Sequence, residues 1–259
     1  MKMTKAYHAF ITKINYFYYD IEFVDVIKRT NPNDCIFKNI TRQNHPVLSN
    51  RDNTSDLGRG QIINHLENTI YSSFVKDVYE EVMLYFKTIM QYVIERGGIK
   101  PEIILAGDKM EITYKDVLKK GSWNKIIEHI AKNLVRKVEK RKDTSYILNE
   151  IPKRLGIEVS KDKINEVMPF LEVRHLLVHN DGKMDDKFKS SYPNMFASKQ
   201  NDRINIDFAF IKDFKNKTIN LIKLYDNELV LKQLISEKDI HAHAQRNNVS
   251  HLIKSTDGI

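Results

Sequence analysis

The stretch GQIINHLENTIYSSFVKDVYEEVMLYFKTIMQYVIE, residues 60–95, carries the strongest helical pattern in this 259-residue chain. Its apolar residues recur at steps of three and four, a spacing that places them on one face of an α-helix. Gly97 and Gly98 end the pattern, because glycine readily adopts the left-handed conformation in which helices terminate. We therefore expect a long helix over these residues. Its apolar face consists of Ile63, Leu66, Ile70, Phe74, Val78, Tyr85, Ile89 and Val93.

The same spacing predicts further helices on both sides of this stretch, over residues 4–29, 122–139, 145–155, 160–179 and 211–234. Ser122 and Ser160 are expected N-caps. Two short segments favour β structure instead: residues 101–114, around Ala106-Gly107-Asp108, and residues 204–208, which alternate apolar and polar side chains. The expected fold class is therefore all-α, a helical bundle with a minor β element formed by a short hairpin or strand insertions.

Polar and apolar residues are distributed as in a single domain. No internal repeat or low-complexity linker divides the chain, so we expect one helical domain over residues 1–235. Residues 31–58 are rich in Asn, Asp, Ser and Pro and predict a long surface loop, and residues 97–121 predict an insertion. Residues 236–259 are polar and are expected to form a loose tail.

Composition narrows the classes of function. The net charge of +8 and the pI of about 9.2 favour polyanionic partners, although 42 basic residues are offset by 34 acidic ones. A single cysteine, Cys35, excludes an intramolecular disulfide and a cysteine-based zinc cluster. The sequence shows no signal peptide, membrane-spanning run, phosphate-cradling glycine loop or nucleophile elbow. These features predict a cytoplasmic protein without membrane association, cofactor or metal.

One motif suggests chemistry: Arg-His-Leu-Leu-Val-His-Asn-Asp-Gly at residues 174–182. An arginine can hold a phosphate and a histidine can move a proton near neutral pH. The five-residue spacing is weak by itself, because composition alone predicts roughly 0.4 such pairs, and a second pair, Arg246 and His251, lies in the polar tail. The first pair differs because Val167, Leu171, Arg174 and Val178 share one helix stripe, which directs Arg174 toward the bundle interior or an interface.

Plainer interpretations of the motif stay open. Arg174 can form a structural ion pair while His179 caps the end of the helix. His175 and His179, four residues apart, can also bind a metal together, although Leu176 stands where a zinc protease needs its glutamate. Outside the motif, His241 and His243 are either candidate metal ligands or residues of a solvent-exposed tail. The aromatic run at residues 16–19 suits either base stacking or core and partner contacts.

Residues 173–188 resemble the HEPN superfamily of small helical-bundle domains, many of which are ribonucleases. The family's motif is an arginine, a polar residue, three further residues and a histidine, here Arg174, His175, residues 176–178 and His179. Residues 180–185 continue like the family, and the helix around residues 79–81 resembles it more weakly. The resemblance implies a metal-independent endoribonuclease of a toxin–antitoxin or antiviral (abortive infection) defence system. Such an enzyme cleaves RNA by attack of the 2′-hydroxyl and leaves a 2′,3′-cyclic phosphate.

The resemblance also assigns roles and partners. His179 would move the proton, Arg174 would hold the phosphate and His175 would position the other groups. HEPN nucleases often add an acidic residue from another helix. Glu81, which shares a stripe with Phe74, Val78 and Tyr85, is the first candidate, and Glu80, Asp77 and Glu67 are the others. Two protomers would combine their motifs in a homodimer, with an antitoxin or defence protein as a further partner.

RNA binding is predicted for Lys132, Arg136, Lys137, Lys140, Arg141, Asn180 and Lys183, although the basic run is equally typical of a solvated helix end. Two alternatives to the enzyme remain. One is a catalytically silent HEPN module for binding or dimerisation, and the other is a nucleic-acid-binding regulator. The presence of both Arg174 and His179 favours the enzyme.

Overall fold

The computed structural model describes residues 2–29, 37, 43–45, 47–50, 55–100, 103, 112–140, 144–193 and 202–241. Within these ranges it is mostly helical with a short two-stranded sheet, which confirms the predicted fold class. The helices are α1 (Lys5–Arg29), α2 (Asp56–Arg96), α3 (Tyr114–Lys120), α4 (Trp123–Lys140), α5 (Thr144–Arg154), α6 (Lys161–His179), α7 (Asp186–Ser191) and α8 (Phe208–Leu231). Short 3-10 helices cover Leu48–Asn50 and Glu237–Asp239.

Helix α2 is the centre of the bundle, since α1, α4, α6 and α8 all pack against it. It begins four residues before the apolar pattern does, because the Ser55 hydroxyl accepts a hydrogen bond from the Gly58 backbone N–H at 3.0 Å. Residues 56–58, which the sequence assigned to the end of the long loop at residues 31–58, therefore belong to α2. Gly97 terminates α2 at φ 70°, as the sequence predicts.

Aromatic side chains join α2 to α6 and α8 in the core. Phe170 stacks on Phe214 with 5.7 Å between ring centroids, and Phe74 meets Phe214 edge-on at 6.4 Å. All three rings are buried. Truncating one such ring costs about 3–5 kcal/mol in a typical core, so these contacts fix the position of α6 against the central helix.

The two-stranded sheet lies where the sequence did not predict it. Strand β1 (Met3–Thr4) pairs antiparallel with β2 (Ile240–His241), so the start of the described chain meets its end. Residues 236–241 therefore belong to the folded body, and the prediction that they begin a loose tail is wrong. Residues 242–259 lie outside the described residues.

The strand predicted at residues 204–208 is also wrong. Arg203 forms only an isolated bridge with Lys183. Phe208 already belongs to α8, because the Asp207 carboxylate caps that helix by accepting from the Phe210 N–H at 2.8 Å. Most of the β-prone stretch at residues 101–114 lies outside the described residues, and its last residue, Tyr114, begins α3.

A buried carboxylate ties β1 to the bundle. Asp226 on α8 accepts hydrogen bonds from the Thr4 backbone N–H at 2.9 Å, from the Thr4 hydroxyl at 2.5 Å and from the Tyr85 hydroxyl at 3.3 Å. Burial raises the pKa of the Asp226 carboxyl, while the hydrogen bonds from Thr4 and Tyr85 act in the opposite direction. We call Thr4, Tyr85 and Asp226 the buried polar cluster.

Candidate functional site

Arg174, His175 and His179 line one cleft of about 430 Å³ between α2, α5, α6 and α7. His175 and His179 share one face of α6 because they lie four residues apart, and Arg174 lies on the adjacent face. The cleft extends across both faces. We call this space the motif cleft. Its other lining residues are Tyr79, Thr144, Ile147, Leu171, Glu172, Leu176, Asp185, Lys187 and Phe188.

The predicted stripe on α6 places Arg174 at the edge of the core. Val167 and Leu171 are buried, and Arg174 follows them with 28% of its side chain exposed. The guanidinium carbon lies 4.8 Å from the centre of the Tyr79 ring, within cation–π range. Arg174 therefore lies between the buried core and the open cleft. Val178, in contrast, is exposed.

The guanidinium has spare hydrogen-bonding capacity. Its Nη2 lies 3.4 Å from Glu80 Oε1, a long contact to a carboxylate that is 64% exposed. Its Nε is buried and has no hydrogen-bond partner. An arginine presents five N–H donors, so a half-buried guanidinium with one long contact retains donors for an anion.

The two histidines are exposed side by side on α6. Their ring centroids are 4.6 Å apart and the ring planes are tilted by 47°. His179 is the last residue of the helix, since Asn180 caps it by donating its backbone N–H to the Leu176 carbonyl. Two imidazoles at this separation can act on neighbouring atoms of one small ligand.

The residues that follow His179 form a hydrogen-bonded turn at the end of the helix. Asp181 and Gly182 both adopt positive φ, at 52° and 75°. The Gly182 N–H also donates to the Leu176 carbonyl at 2.9 Å, and Arg203 forms an ion pair with Asp181. This turn fixes the end of α6 and leads directly to α7.

The acidic residue beside Arg174 is Glu80, not Glu81. Glu81 is only 12% exposed and forms an ion pair with Lys13 on α1 at 2.8 Å, so the preference for Glu81 is corrected. The reason is that α1 covers the side of α2 on which Glu81 lies. Of the other candidates, Glu67 pairs with Lys28 at 2.8 Å and Asp77 accepts from the Ser73 hydroxyl at 3.2 Å.

Of the residues predicted to bind RNA, the four whose side chains the structure describes, Lys132, Arg136, Asn180 and Lys183, are not among the lining residues of the motif cleft. Lys132 and Arg136 are exposed on α4. Lys137 and Lys140 belong to α4 but their side chains lie outside the described part of the chain, as does Arg141 altogether. Asn180 donates to Asp185 at 3.5 Å, and Lys183 is held in the bridge to Arg203.

Sequence reasoning missed two lining residues with a clear chemical role. The Tyr79 ring makes the cation–π contact with the Arg174 guanidinium, and Lys187 on α7 adds a second cation to the cleft. Tyr79 could have been found, because it lies next to the two glutamates already considered. Lys187 has no local signal, since its position depends on how the turn after His179 directs α7.

The remaining candidates lie apart from the cleft. His241 stacks on His8 with 3.8 Å between ring centroids, while His243, Arg246 and His251 lie outside the described residues. Across the described ranges, no group of three or more His, Cys, Asp or Glu side chains is placed to hold a metal ion. None of the helices in these ranges combines the length and the apolarity needed to cross a lipid bilayer.

Comparison with models of known protein families finds no match, and comparisons with curated proteins and with solved structures find none either. The resemblance to the HEPN superfamily therefore stays a prediction that rests on residues 173–188.

Proposed function

We propose that this protein is a metal-independent endoribonuclease of the HEPN type that acts through the motif cleft. The observation that supports this most directly is that Arg174, His175 and His179 share one open cleft of about 430 Å³. A volume of this order lies in the range of small-ligand pockets and is compatible with a phosphodiester and part of an adjoining nucleotide.

Arg174 is the proposed phosphate-binding residue. Its guanidinium rests on Tyr79 and keeps donors that the long contact to Glu80 does not use. Lys187 on α7 contributes a second positive charge to the cleft. Negative charge builds on the phosphate oxygens as RNA is cleaved, so these cations stabilise the transition state more than the ground state.

The histidines are the proposed proton carriers. The 2′-hydroxyl oxygen attacks the adjacent phosphorus and loses its proton to one imidazole, for which we propose His179. The bond from phosphorus to the 5′ oxygen breaks, and this leaving oxygen gains a proton from a second acid, for which His175 is the candidate. The products are a 2′,3′-cyclic phosphate and a free 5′-hydroxyl. Imidazole suits both transfers because it gains and loses protons near neutral pH.

The biological setting follows from the resemblance. An RNA-cutting effector of a toxin–antitoxin or antiviral defence system in the cytoplasm fits a basic chain with a nuclease cleft. In this proposal two protomers join their motifs across a homodimer, and an antitoxin or defence protein restrains the activity. DNA is not a substrate, because the mechanism requires the 2′-hydroxyl.

The test is cleavage of total RNA by the purified protein in the presence of EDTA. We expect wild-type protein to cut, and His179→Ala and Arg174→Ala to lose at least about a hundredfold in rate, the size typical of a general acid–base residue or an oxyanion donor. Mass spectrometry of the products should show cyclic phosphate ends. Arg174→Lys keeps the charge without the planar fork of donors and should cleave at an intermediate rate.

Matched controls are His65→Ala, which removes an exposed histidine from α2, and Arg29→Ala, which removes an exposed arginine from α1. Both should cut like the wild type. Intact RNA with wild-type protein, together with no toxicity on expression, contradicts the nuclease proposal and favours the silent module. RNA binding that is unchanged in His179→Ala, without cleavage by either protein, favours a nucleic-acid-binding regulator instead.

A further inference from the structure

We infer that the motif cleft selects guanosine as the nucleotide on the 3′ side of the cut, and that Glu172 recognises its base. The inference rests on the proposed function, because it names the RNA sequence that the cleft cuts. Glu172 is half-buried and lines the cleft together with Arg174, His175 and His179. Neither phosphate binding nor proton transfer in the proposed mechanism uses this carboxylate.

A carboxylate in a phosphate-binding cleft needs a hydrogen-bond donor from the ligand. Like charges repel, so Glu172 does not bind the phosphate itself. An ionised carboxylate accepts hydrogen bonds and donates none. Guanine presents two adjacent donors, N1–H and the N2 amino group, on its Watson–Crick edge, and these match the two oxygens of one carboxylate. Adenine and cytosine instead present an amino group beside an acceptor, and uracil presents one N–H between two carbonyls.

The cleft contains a second carboxylate, Asp185, which is already used by the fold. Its Oδ1 caps α7 by accepting from the Phe188 backbone N–H at 2.7 Å, and its Oδ2 accepts from the Asn180 amide at 3.5 Å. Glu172 lies within α6, whose ends are capped by Ser160 and Asn180. A carboxylate has about four lone-pair sites, so a contact within the protein leaves capacity for a base. Glu172 is therefore the carboxylate that we assign to guanine.

The order of side chains along α6 places this base on the 3′ side of the cut. Glu172, His175 and His179 follow one another at steps of three and four residues on one helix face. In the proposed mechanism His179 acts on the 2′-hydroxyl and His175 acts on the leaving 5′ oxygen. The nucleotide that keeps the 5′ oxygen then continues toward Glu172, one helical turn or about 5 Å beyond His175.

The cleft also offers an apolar surface to a base. A base has apolar faces and a polar edge, so it can lie on apolar side chains while its edge meets a carboxylate. Arg174 and Lys187 supply the positive charge for the phosphate. The lining therefore combines the three chemistries of a nucleotide. Its buried apolar members are Ile147, Leu171, Leu176 and Phe188.

Cleavage of chimeric oligonucleotides measures the preference. Each contains one ribonucleotide in a 2′-O-methyl strand, so that one bond can be cut, and the next base is guanine, hypoxanthine, adenine, cytosine or uracil. We expect the wild type to cut before guanine about 10- to 100-fold faster than before adenine, cytosine or uracil, the size typical of one bidentate contact to a base. Hypoxanthine keeps N1–H but lacks the N2 amino group, so cleavage before it should be intermediate.

The variant Glu172→Gln should change this preference without abolishing cleavage. Glutamine accepts one hydrogen bond and donates another, a pattern that fits adenine instead of guanine, so the ratio of the guanine rate to the adenine rate should fall to about one or below. The difference between guanine and hypoxanthine should also disappear. Glu166→Gln removes a carboxylate of the same helix outside the motif cleft and should keep the wild-type ratio. A purely structural role of Glu172 would lower all rates together and leave the ratio unchanged.

Binding of nucleoside 5′-monophosphates tests the base contact without cleavage. Guanosine 5′-monophosphate should bind the wild type at least about tenfold more tightly than adenosine 5′-monophosphate, and Glu172→Gln should remove the difference. The His179 ring resonances report both titrations.

The outcomes separate this inference from the proposed function. A preference for guanosine 5′-monophosphate without any RNA cleavage contradicts the nuclease, whereas the assignment of Glu172 to guanine stands. Cleavage without a preference for guanine after the cut, or with a preference that Glu172→Gln retains, overturns the inference and leaves the nuclease standing. Equal binding of the two monophosphates without cleavage contradicts both.

Discussion

The buried polar cluster and the motif cleft both join polar side chains from distant parts of the chain, but they satisfy them differently. Asp226 is buried and accepts hydrogen bonds from both Thr4 donors and from Tyr85. Arg174 is half-buried and contacts Glu80 at 3.4 Å, with its Nε buried and unpartnered. The first arrangement leaves little capacity for a ligand, whereas the second retains it.

The comparison indicates that Asp226 stabilises the fold, whereas Arg174 is available to bind a ligand. A buried carboxylate with good hydrogen bonds is costly to disturb, because its partners lose their acceptor inside the protein. A guanidinium at the rim of an open cleft can exchange its weak exposed partner for an anion at little cost. We therefore expect substitutions in the cluster to change stability and substitutions in the cleft to change binding and activity.

The largest expected effect on stability is that of Asp226→Ala. It leaves the Thr4 N–H and the Thr4 and Tyr85 hydroxyls without an acceptor in the core, so we expect the free energy of unfolding to fall by about 2–4 kcal/mol. Urea denaturation measures the loss. Asp213→Ala, which removes an exposed carboxylate from the same helix, should change stability by less than about 0.5 kcal/mol. Equal losses in the two variants would mean that the cluster does not anchor the fold.

A smaller, pH-dependent effect follows from the raised pKa of the Asp226 carboxyl. Folding takes up a proton at pH values between the ordinary aspartate range and this raised pKa. The free energy of unfolding therefore decreases as pH rises through that window. Asp226→Asn does not titrate, so the stability of wild type relative to this variant should fall across the same window. A difference that is constant with pH would contradict the burial of an ionisable group at this position.

The smallest expected changes concern the neighbouring glutamates. Glu80→Gln removes the exposed partner of Arg174 and should alter stability by less than about 0.5 kcal/mol, while inorganic phosphate binds a few times more tightly to the freed guanidinium. Glu81→Gln instead removes the partner of Lys13 and should leave phosphate affinity unchanged. Titration of the His179 ring resonances with phosphate measures both affinities. If the two variants bind phosphate equally, Glu80 does not compete for Arg174.

Local patterns predicted most of the helical architecture. Three- and four-residue spacing placed α1, α4, α5, α6 and α8 within a few residues of their observed bounds, because an apolar face must be buried wherever a helix joins a core. The stripe on α6 is buried at Val167 and Leu171, half-buried at Arg174 and exposed at Val178. Spacing also placed His175 and His179 on one face of α6, whereas the cleft that they share with Arg174 depends on the packing of other helices against α6.

Contacts between segments that are distant in the sequence were predicted poorly. Helical spacing put Glu81 on the inward side of α2, but it could not say that α1 and Lys13 occupy that side while α6 lies beside Glu80. The alternation at residues 204–208 is a sound local signal for a strand, yet among the described residues this segment forms no strand, and Arg203 beside it makes only an isolated bridge with Lys183. The observed sheet joins residues 3–4 to residues 240–241, a contact with no local signature.

The sequence by itself determined the six longer helices, the Ser160 cap of α6 and the placement of His175 and His179 on one face, because each depends on a pattern within one short segment. Only the tertiary structure decided the partners across helices: Tyr79 and Glu80 beside Arg174, Lys187 in the cleft and Thr4 on Asp226. The physical reason is that helix packing selects one of several faces and registers that are equally compatible with the periodicity of each helix.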